Sequence, residues 1–212
     1  MKIKWMGHSC FLITSKNGTR IVTDPYDDSV GYPVPSVSAD IVTSSHNHND
    51  HNNFDCVDGE FKVVNKNGDI SVNGISVRGV DTYHDEAEGQ KRGKNIIFVL
   101  KVDGLSICHC GDLGHVLDDE AVEKIGHVDI LLIPVGGFYT INAEEAVRVR
   151  EQLKPRVTVP MHYKIDGVKY PIDKVDVFLG LAGSHSKMST NEIEINIDNL
   201  NEMPEIIVLD YK

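Results

Sequence analysis

The chain has 212 residues, 41% hydrophobic and 25% charged, long enough to bury a core and ordinary for a folded soluble protein. Its formal net charge of −11 argues against a nucleic-acid partner, because that affinity comes largely from basic groups set against phosphates. It does not exclude a small anionic substrate, since a bound metal ion outweighs distant surface charge.

No run approaches the ~18 apolar residues a membrane span needs. The opening Met1-Lys2-Ile3-Lys4-Trp5-Met6-Gly7-His8 meets a glycine and a histidine before any signal-peptide core can form. A cytoplasmic protein away from membranes is expected. The cysteines agree: Cys10 and Cys56 stand alone, and Cys108 and Cys110 flank His109. Their spacing suggests neither a disulfide framework nor a zinc knuckle, so they read as small core residues.

In chain order the first two-thirds reads mostly as strands. These cover 2–5, 10–14, 20–23, 40–44, 61–65, 75–80, 95–102 and 105–110. Asp103-Gly104 is a two-residue hairpin turn, and Asn17-Gly18 and Asn73-Gly74 mark two more. A short helix is predicted over 118–125, with acidic residues at its start. A longer one runs from Asn142 to Lys154, where Asn142 and Glu145 form a capping box, Ala146, Val149 and Leu153 share a face, and Pro155 stops the helix. Apolar strands at 128–135 and 156–160 bracket it. A third helix over 172–181 and strands at 192–197 and 205–209 complete the chain. The order predicts one domain, 1–212, with two sheets covered by helices.

The strongest local feature is His46-Asn47-His48-Asn49-Asp50-His51. Imidazole nitrogens and a carboxylate are the ligands that zinc and similar divalent ions prefer. On an extended turn His46 and His48 project to the same side and can hold one ion, which leaves Asp50 and His51 to face a second. Three further residues repeat one pattern, a ligand type just after a strand: His84 in Thr82-Tyr83-His84-Asp85, Asp112 in Cys110-Gly111-Asp112, and His162 in Pro160-Met161-His162-Tyr163. That pattern puts all of them along one edge of the sheets.

With these residues the chain resembles the metallo-β-lactamase-fold hydrolases, over nearly its whole length. Within them it is similar to the branch that contains ascorbate-6-phosphate lactonase. The resemblance also rests on Trp5-Met6-Gly7-His8-Ser9-Cys10-Phe11, Thr23-Asp24-Pro25, Pro134-Val135-Gly136-Gly137 and Tyr139-Thr140. It implies an α/β (α+β) four-layer αββα sandwich with the site between the sheet edges. It implies that His46, His48 and His84 hold one metal, that Asp50, His51 and His162 hold the other, and that Asp112 bridges them. Flavodiiron oxygen reductases share the fold but carry Glu where this chain has Asn47, so the pattern is the hydrolytic one.

Around the centre, His8 is expected to donate a proton to a leaving group or to hold a substrate oxygen, with a structural role equally open. Asp24 reads as a turn acceptor, perched beside the metals. His109, His115 and His185 are weaker proton-donor candidates. Arg92, Lys94 and Lys164 are basic residues near the loops. The segment 136–140 leads into a helix N-terminus whose free N–H groups can receive an anion.

The cofactors expected are two divalent ions, zinc by default, with manganese, iron or nickel compatible with the ligands. Ions about 3.5–4 Å apart lower the pKa of a shared water from about 15.7 to about 7, and the hydroxide attacks carbon or phosphorus. Asp50 orients this nucleophile. The expected activity is hydrolysis of a small lactone, ester or phosphodiester, and the expected partner is a small anionic substrate. The rivals are a nuclease or RNA-processing enzyme of the same fold and a non-catalytic metal-binding protein. A homo-oligomer stays open.

Overall fold

The computed structural model describes residues 1–211. In chain order the strands are β1 Lys2–Gly7, β2 Cys10–Thr14, β3 Arg20–Thr23, β4 Val37–Ser38, β5 Ile41–Thr43, β6 Val57–Asp58, β7 Lys62–Val64, β8 Gly68–Val72, β9 Ile75–Tyr83, β10 Lys94–Val102 and β11 Leu105–His109. Helix α1 Asp119–Ile125, β12 Ile130–Pro134, α2 Ala143–Leu153, β13 Val157–Met161 and α3 Val175–Ala182 follow, with β14 Ser186–Lys187, β15 Glu192–Glu194 and β16 Ile207–Val208 last.

Two six-stranded sheets form, in the orders β15-β1-β2-β3-β5-β7 and β13-β12-β11-β10-β9-β8. Period-two alternation makes the first: in β1, Ile3 and Trp5 are buried while Lys2 is exposed. In the second sheet β12 and β13 are buried at every position, as parallel strands covered on both faces must be. Trp5, Phe11 and Ile13 of the first sheet share one core with Phe98, Leu100 and Ile107 of the second. The three helices contribute Ala121, Val149 and Phe178, among others, to the same core.

The outer face of the first sheet is covered differently. Tyr26, Val30, Tyr32, Val57, Val168 and Ile172 form a second cluster there with Cys10, Val22 and Val42. That layer is built from loops and the short strands, with the 3₁₀ turn Phe54–Cys56 as its helical content. Among the described residues no helix is long and apolar enough to cross a membrane.

Several boundaries moved for identifiable reasons. The third helix starts at Val175 rather than 172, because Asp173 donates its N–H to the Gly136 carbonyl and accepts from Lys164 through its own carbonyl. Those bonds hold 172–174 extended as a tether between two loops. Strand β8 was not expected. It pairs with β9 through Asn73-Gly74, both at positive φ (52° and 80°), the twist that suits a two-residue hairpin. The helix from Asn142 to Lys154 holds closely: the capping box forms, and Lys154 ends it in the left-handed region.

The topology fixes the location of the site. β1 is antiparallel to β2, and β2 to β3, while β3 and β5 are parallel. β9 and β11 flank antiparallel β10, and β11, β12 and β13 are parallel. The C-terminal ends of β1, β3 and β5 therefore lie at one edge of their sheet, and those of β9, β11 and β13 at one edge of theirs.

Candidate metal centre

Each of those strand ends is followed by a candidate residue. The loop after β5 is shaped by Asp24, which follows β3, is fully buried and sits at φ 41°. Its carboxylate accepts the Ser45 N–H at 2.8 Å and the Ser45 hydroxyl at 2.6 Å. It also pairs with His51 Nδ1 at 2.8 Å. One carboxylate thus fixes both ends of the cluster and turns His51 Nε2 inward, the role that outer-shell carboxylates play at metal histidines. Ser45 Oγ, in turn, lies 2.9 Å from His46 Nδ1.

Asp112 is held from the other sheet. Its N–H donates to Asn95 Oδ1 at 2.9 Å. The Asn95 amide donates to Thr82 Oγ1 at 2.8 Å and to the Cys110 carbonyl at 3.0 Å. The preceding Gly111 has φ 56°, and a Cβ there would stand 2.4 Å from Asn95 Oδ1, so only glycine lets the two loops meet.

The side chains converge. Asp112 Oδ1 is 3.2 Å from His51 Nε2. Its Oδ2 is 3.2 Å from His84 Nε2, 3.4 Å from His162 Nε2 and 4.0 Å from His46 Nε2. Ligand atoms fall into the groups His46–His48–His84 and His8–Asp50–His51–His162, each within 4.8 Å, and Asp112 groups with one member of each, His46 and His51. All seven residues named from the sequence as metal candidates are brought together.

The donor set fits divalent cations. His46 Nε2, His51 Nε2 and Asp112 Oδ1 are buried without a hydrogen-bond partner. Buried polar atoms of that kind are rare in folded proteins unless something fills the gap. Charge points the same way. Burial acts against ionised Asp112, but His162 and His51 outweigh it and hold its carboxyl well below the usual range. Burial also disfavours a charged His51, but Asp112 and Asp50 outweigh it and raise His51 well above the ordinary value. Desolvation dominates at His46, lowering it to about 3. The centre therefore carries ionised carboxylates among imidazoles, and a cation can take the place of the proton on His51.

Above these groups lies a cavity of about 340 Å³, lined by His48, Asp50, His84, Asp112 and His162 and walled by Lys91, Arg92, Tyr139 and Tyr170. A neighbouring groove of about 440 Å³ shares His48 and Arg92 and reaches Lys94. The cationic wall is organised by Asp85. Its carboxylate accepts the N–H groups of Ala87, Gly89, Lys91 and Arg92 at 2.7–3.0 Å. Desolvation opposes its charge, but these four donors prevail and hold its carboxyl low. The Arg92 guanidinium sits 5.6 Å from the centre of the Tyr139 ring.

Other expectations are corrected. His8 is 1% exposed and lines neither cavity, so it faces the cluster rather than a substrate. Burial, ahead of the neighbouring His162, lowers it to about 4. His109 is fully buried, with Nε2 donating to the Ser9 carbonyl and Nδ1 accepting from Gly111. His115 accepts from Tyr83 N–H and donates to the Val116 carbonyl. His185 is exposed beside Gly183. None of the three lines the cavity. Lys164 directs its ammonium to the carbonyls of Val168 and Tyr170, so it secures the loop that carries Tyr170. The helix terminus after segment 136–140, which could have received an anion, is instead well capped: Ile141 N–H donates to Leu113, Asn142 N–H to Glu145, and Glu145 N–H to Asn142.

Four contributors escaped the sequence reading as parts of the site: Asp85, Lys91, Asn95 and Tyr170. Asn95 had a visible signal, a carboxamide inside the apolar run of β10. Tyr170 had none, because only the packing of loops 136–140 and 165–172 brings its ring within 5.6 Å of Tyr139.

Comparison with known proteins agrees with this geometry. A family model described as "Beta-lactamase superfamily domain" matches residues 2–162. A crystal structure from Thermotoga maritima, described as a Zn-dependent hydrolase of the metallo-beta-lactamase superfamily, is 42% identical and superposes with a TM-score of 0.84, covering 100% of this chain and 99% of that one. A UPF0173 metal-dependent hydrolase of Nanoarchaeum equitans is 31% identical, covering 84% of this chain and 89% of its own. One from Thermoplasma acidophilum is 28% identical, with 87% and 93% covered.

Proposed function

The chain belongs to the beta-lactamase superfamily and is one of its metal-dependent hydrolases, and we propose that it splits small anionic lactones, esters or phosphodiesters at a centre of two divalent ions. Zinc is the proposed metal. His46, His48 and His84 would hold one ion, Asp50, His51 and His162 the other, with Asp112 shared. When bound, the pair supplies Lewis acidity and a water of lowered pKa.

The chain's own residues do the rest. Asp50 lies between the cavity and His51, its Oδ2 3.7 Å from His51 Nε2, where a carboxylate both binds and orients a nucleophilic water. Asp24 keeps the His51 ring from turning. Arg92 offers a cation to an anionic group on the substrate, while the Lys91 ammonium is paired with Glu86, and Tyr139 and Tyr170 close the walls around it. The proposed setting is the cytoplasm, which suits four unpaired cysteines.

The observation that carries the reading is Asp112, reaching candidates of both groups from beneath a cavity with a cationic wall. The test is metal analysis of gently purified protein, followed by assay of a small aryl phosphodiester and an anionic lactone. Two ions per chain and turnover of either substrate are expected. A protein without transition metal that cannot be reloaded would overturn the proposal.

A further inference from the structure

Strand β1 ends in a turn that has little freedom. Gly7 has φ 107°, and a Cβ there would lie 2.8 Å from the Tyr211 ring and 2.9 Å from the Tyr26 hydroxyl. His8 follows at φ 51°, a conformation that non-glycine residues hold only where the surroundings enforce it. The Trp5 indole donates to the His8 carbonyl at 2.9 Å, and the His162 N–H donates to the same oxygen at 3.3 Å. So fixed, the imidazole packs 4.1 Å from the His162 ring and 5.1 Å from the His51 ring, centre to centre.

Given the two-ion centre proposed above, we infer that His8 is itself a ligand of the second ion, alongside Asp50, His51 and His162. Its ring nitrogen lies within 4.8 Å of the ligand atoms of all three. Its side chain is 1% exposed, so it is placed for the ion and not for the substrate.

The competing role is a hydrogen bond that merely steadies Asp50. Distances separate the two. Charge-assisted N–H···O bonds run about 2.7–2.9 Å, and the His51–Asp24 pair has that length, 2.8 Å. His8 Nε2 is 3.3 Å from Asp50 Oδ2. That matches the 3.2 Å and 3.4 Å separations of His51 and His162 from Asp112. Two ligand atoms each about 2.0–2.2 Å from one ion, at angles of about 95–110°, stand roughly 3–3.6 Å apart. His8 and Asp50 are spaced as co-ligands.

The consequence is an unequal pair. Counting the shared Asp112 on each side, the second ion draws on five side chains and the first on four, one of them the exposed His48. The first ion exchanges and the second stays.

The test is NMR of the full chain loaded with the magnetically active cadmium isotope, reading scalar coupling from metal to imidazole protons. Coupling is expected at six histidines: His8, His46, His48, His51, His84 and His162. H8Q should lose the His8 signal, keep those of His46, His48 and His84, and release the second ion more than about 100-fold more readily, beyond the loss that an outer-shell partner causes. Coupling at His51 and His162 with none at His8 in the unaltered protein would overturn this assignment and leave the two-ion centre intact. A protein that takes up no cadmium would overturn both.

Discussion

Asp24 Oδ2 and His51 Nδ1 are 2.8 Å apart in a fully buried pair, and the same carboxylate holds the backbone and hydroxyl of Ser45. One residue outside the cluster therefore sets both its entry and its last ligand. Asp24→Asn keeps the size and removes the charge. It should weaken the second ion by roughly 10–100-fold, as loss of an outer-shell partner does, while the first ion changes less. Competitive titration with a chromophoric chelator measures both constants. Equal losses at the two sites would mean that Asp24 supports only the loop.

Metal should also hold the fold together. The candidate ligands come from separate segments of both sheets, which a cation would cross-link. At a free metal concentration of ~1000 Kd, each ion adds about 4 kcal/mol. For a chain of this size that is ~8–16 °C in melting temperature. Scanning calorimetry before and after chelation checks this, and coincident curves would argue that the ligands do not act on one centre.

Much of the centre was legible because its ligands are local in sequence or follow strands. His46 to His51 is one hexapeptide, and His84, Asp112 and His162 each follow an apolar run. The capping box of Asn142 and Glu145 could be read because it closes within one helical turn. What was not legible depends on where backbone groups point after folding. Lys164 looks like a surface cation until the carbonyls of Val168 and Tyr170 are found beside it. Asp85 looks like a loop residue until four N–H groups turn toward it. Strand β8 gives only a weak signal, since its alternation Asp69-Ile70-Ser71-Val72 covers four residues and Ile70 and Val72 are only half-buried.

The metal-free protein should be most stable near pH 6.5. His8 and His46 are lowered from 6.5 to about 4 and about 3, chiefly by burial. Between pH 6.5 and about 4 the unfolded chain binds protons on these imidazoles that the folded chain refuses, so stability falls as pH falls. His51 is raised well above 6.5: desolvation opposes this, but Asp112 and Asp50 prevail. Its contribution is complete below pH 6.5 and is lost as pH rises through its folded value. Urea midpoints of apo protein between pH 5 and pH 9 should trace this maximum; a flat profile would contradict it.

Arg92 and Lys164 should now behave differently. Arg92 lines the cavity and stacks near Tyr139, so Arg92→Gln should raise KM for anionic substrates about 10-fold, the loss of one charge-assisted contact, with kcat little changed. Lys164→Met removes two carbonyl contacts and should lower the melting temperature instead. A matching KM effect from both variants would return Lys164 to the substrate.

Substrate size is the last expectation. The cavity over the candidate ligands is about 340 Å³, within the range of small-molecule sites, and its cation is Arg92, since Lys91 pairs with Glu86. The chain as a whole is acidic, with a net charge of −11. A long polyanion would meet that field along its whole length, whereas a small anion meets only the local cationic wall. Small phosphodiesters and anionic lactones should turn over measurably, and structured RNA and uncharged β-lactams should not. Raising ionic strength separates the two cases further. It should slow the small anionic substrates modestly by screening the wall, and it should speed any residual attack on RNA by screening the acidic surface. Efficient cleavage of structured RNA at low salt, with every small anionic ester inert, would overturn the small-molecule reading and favour a nuclease.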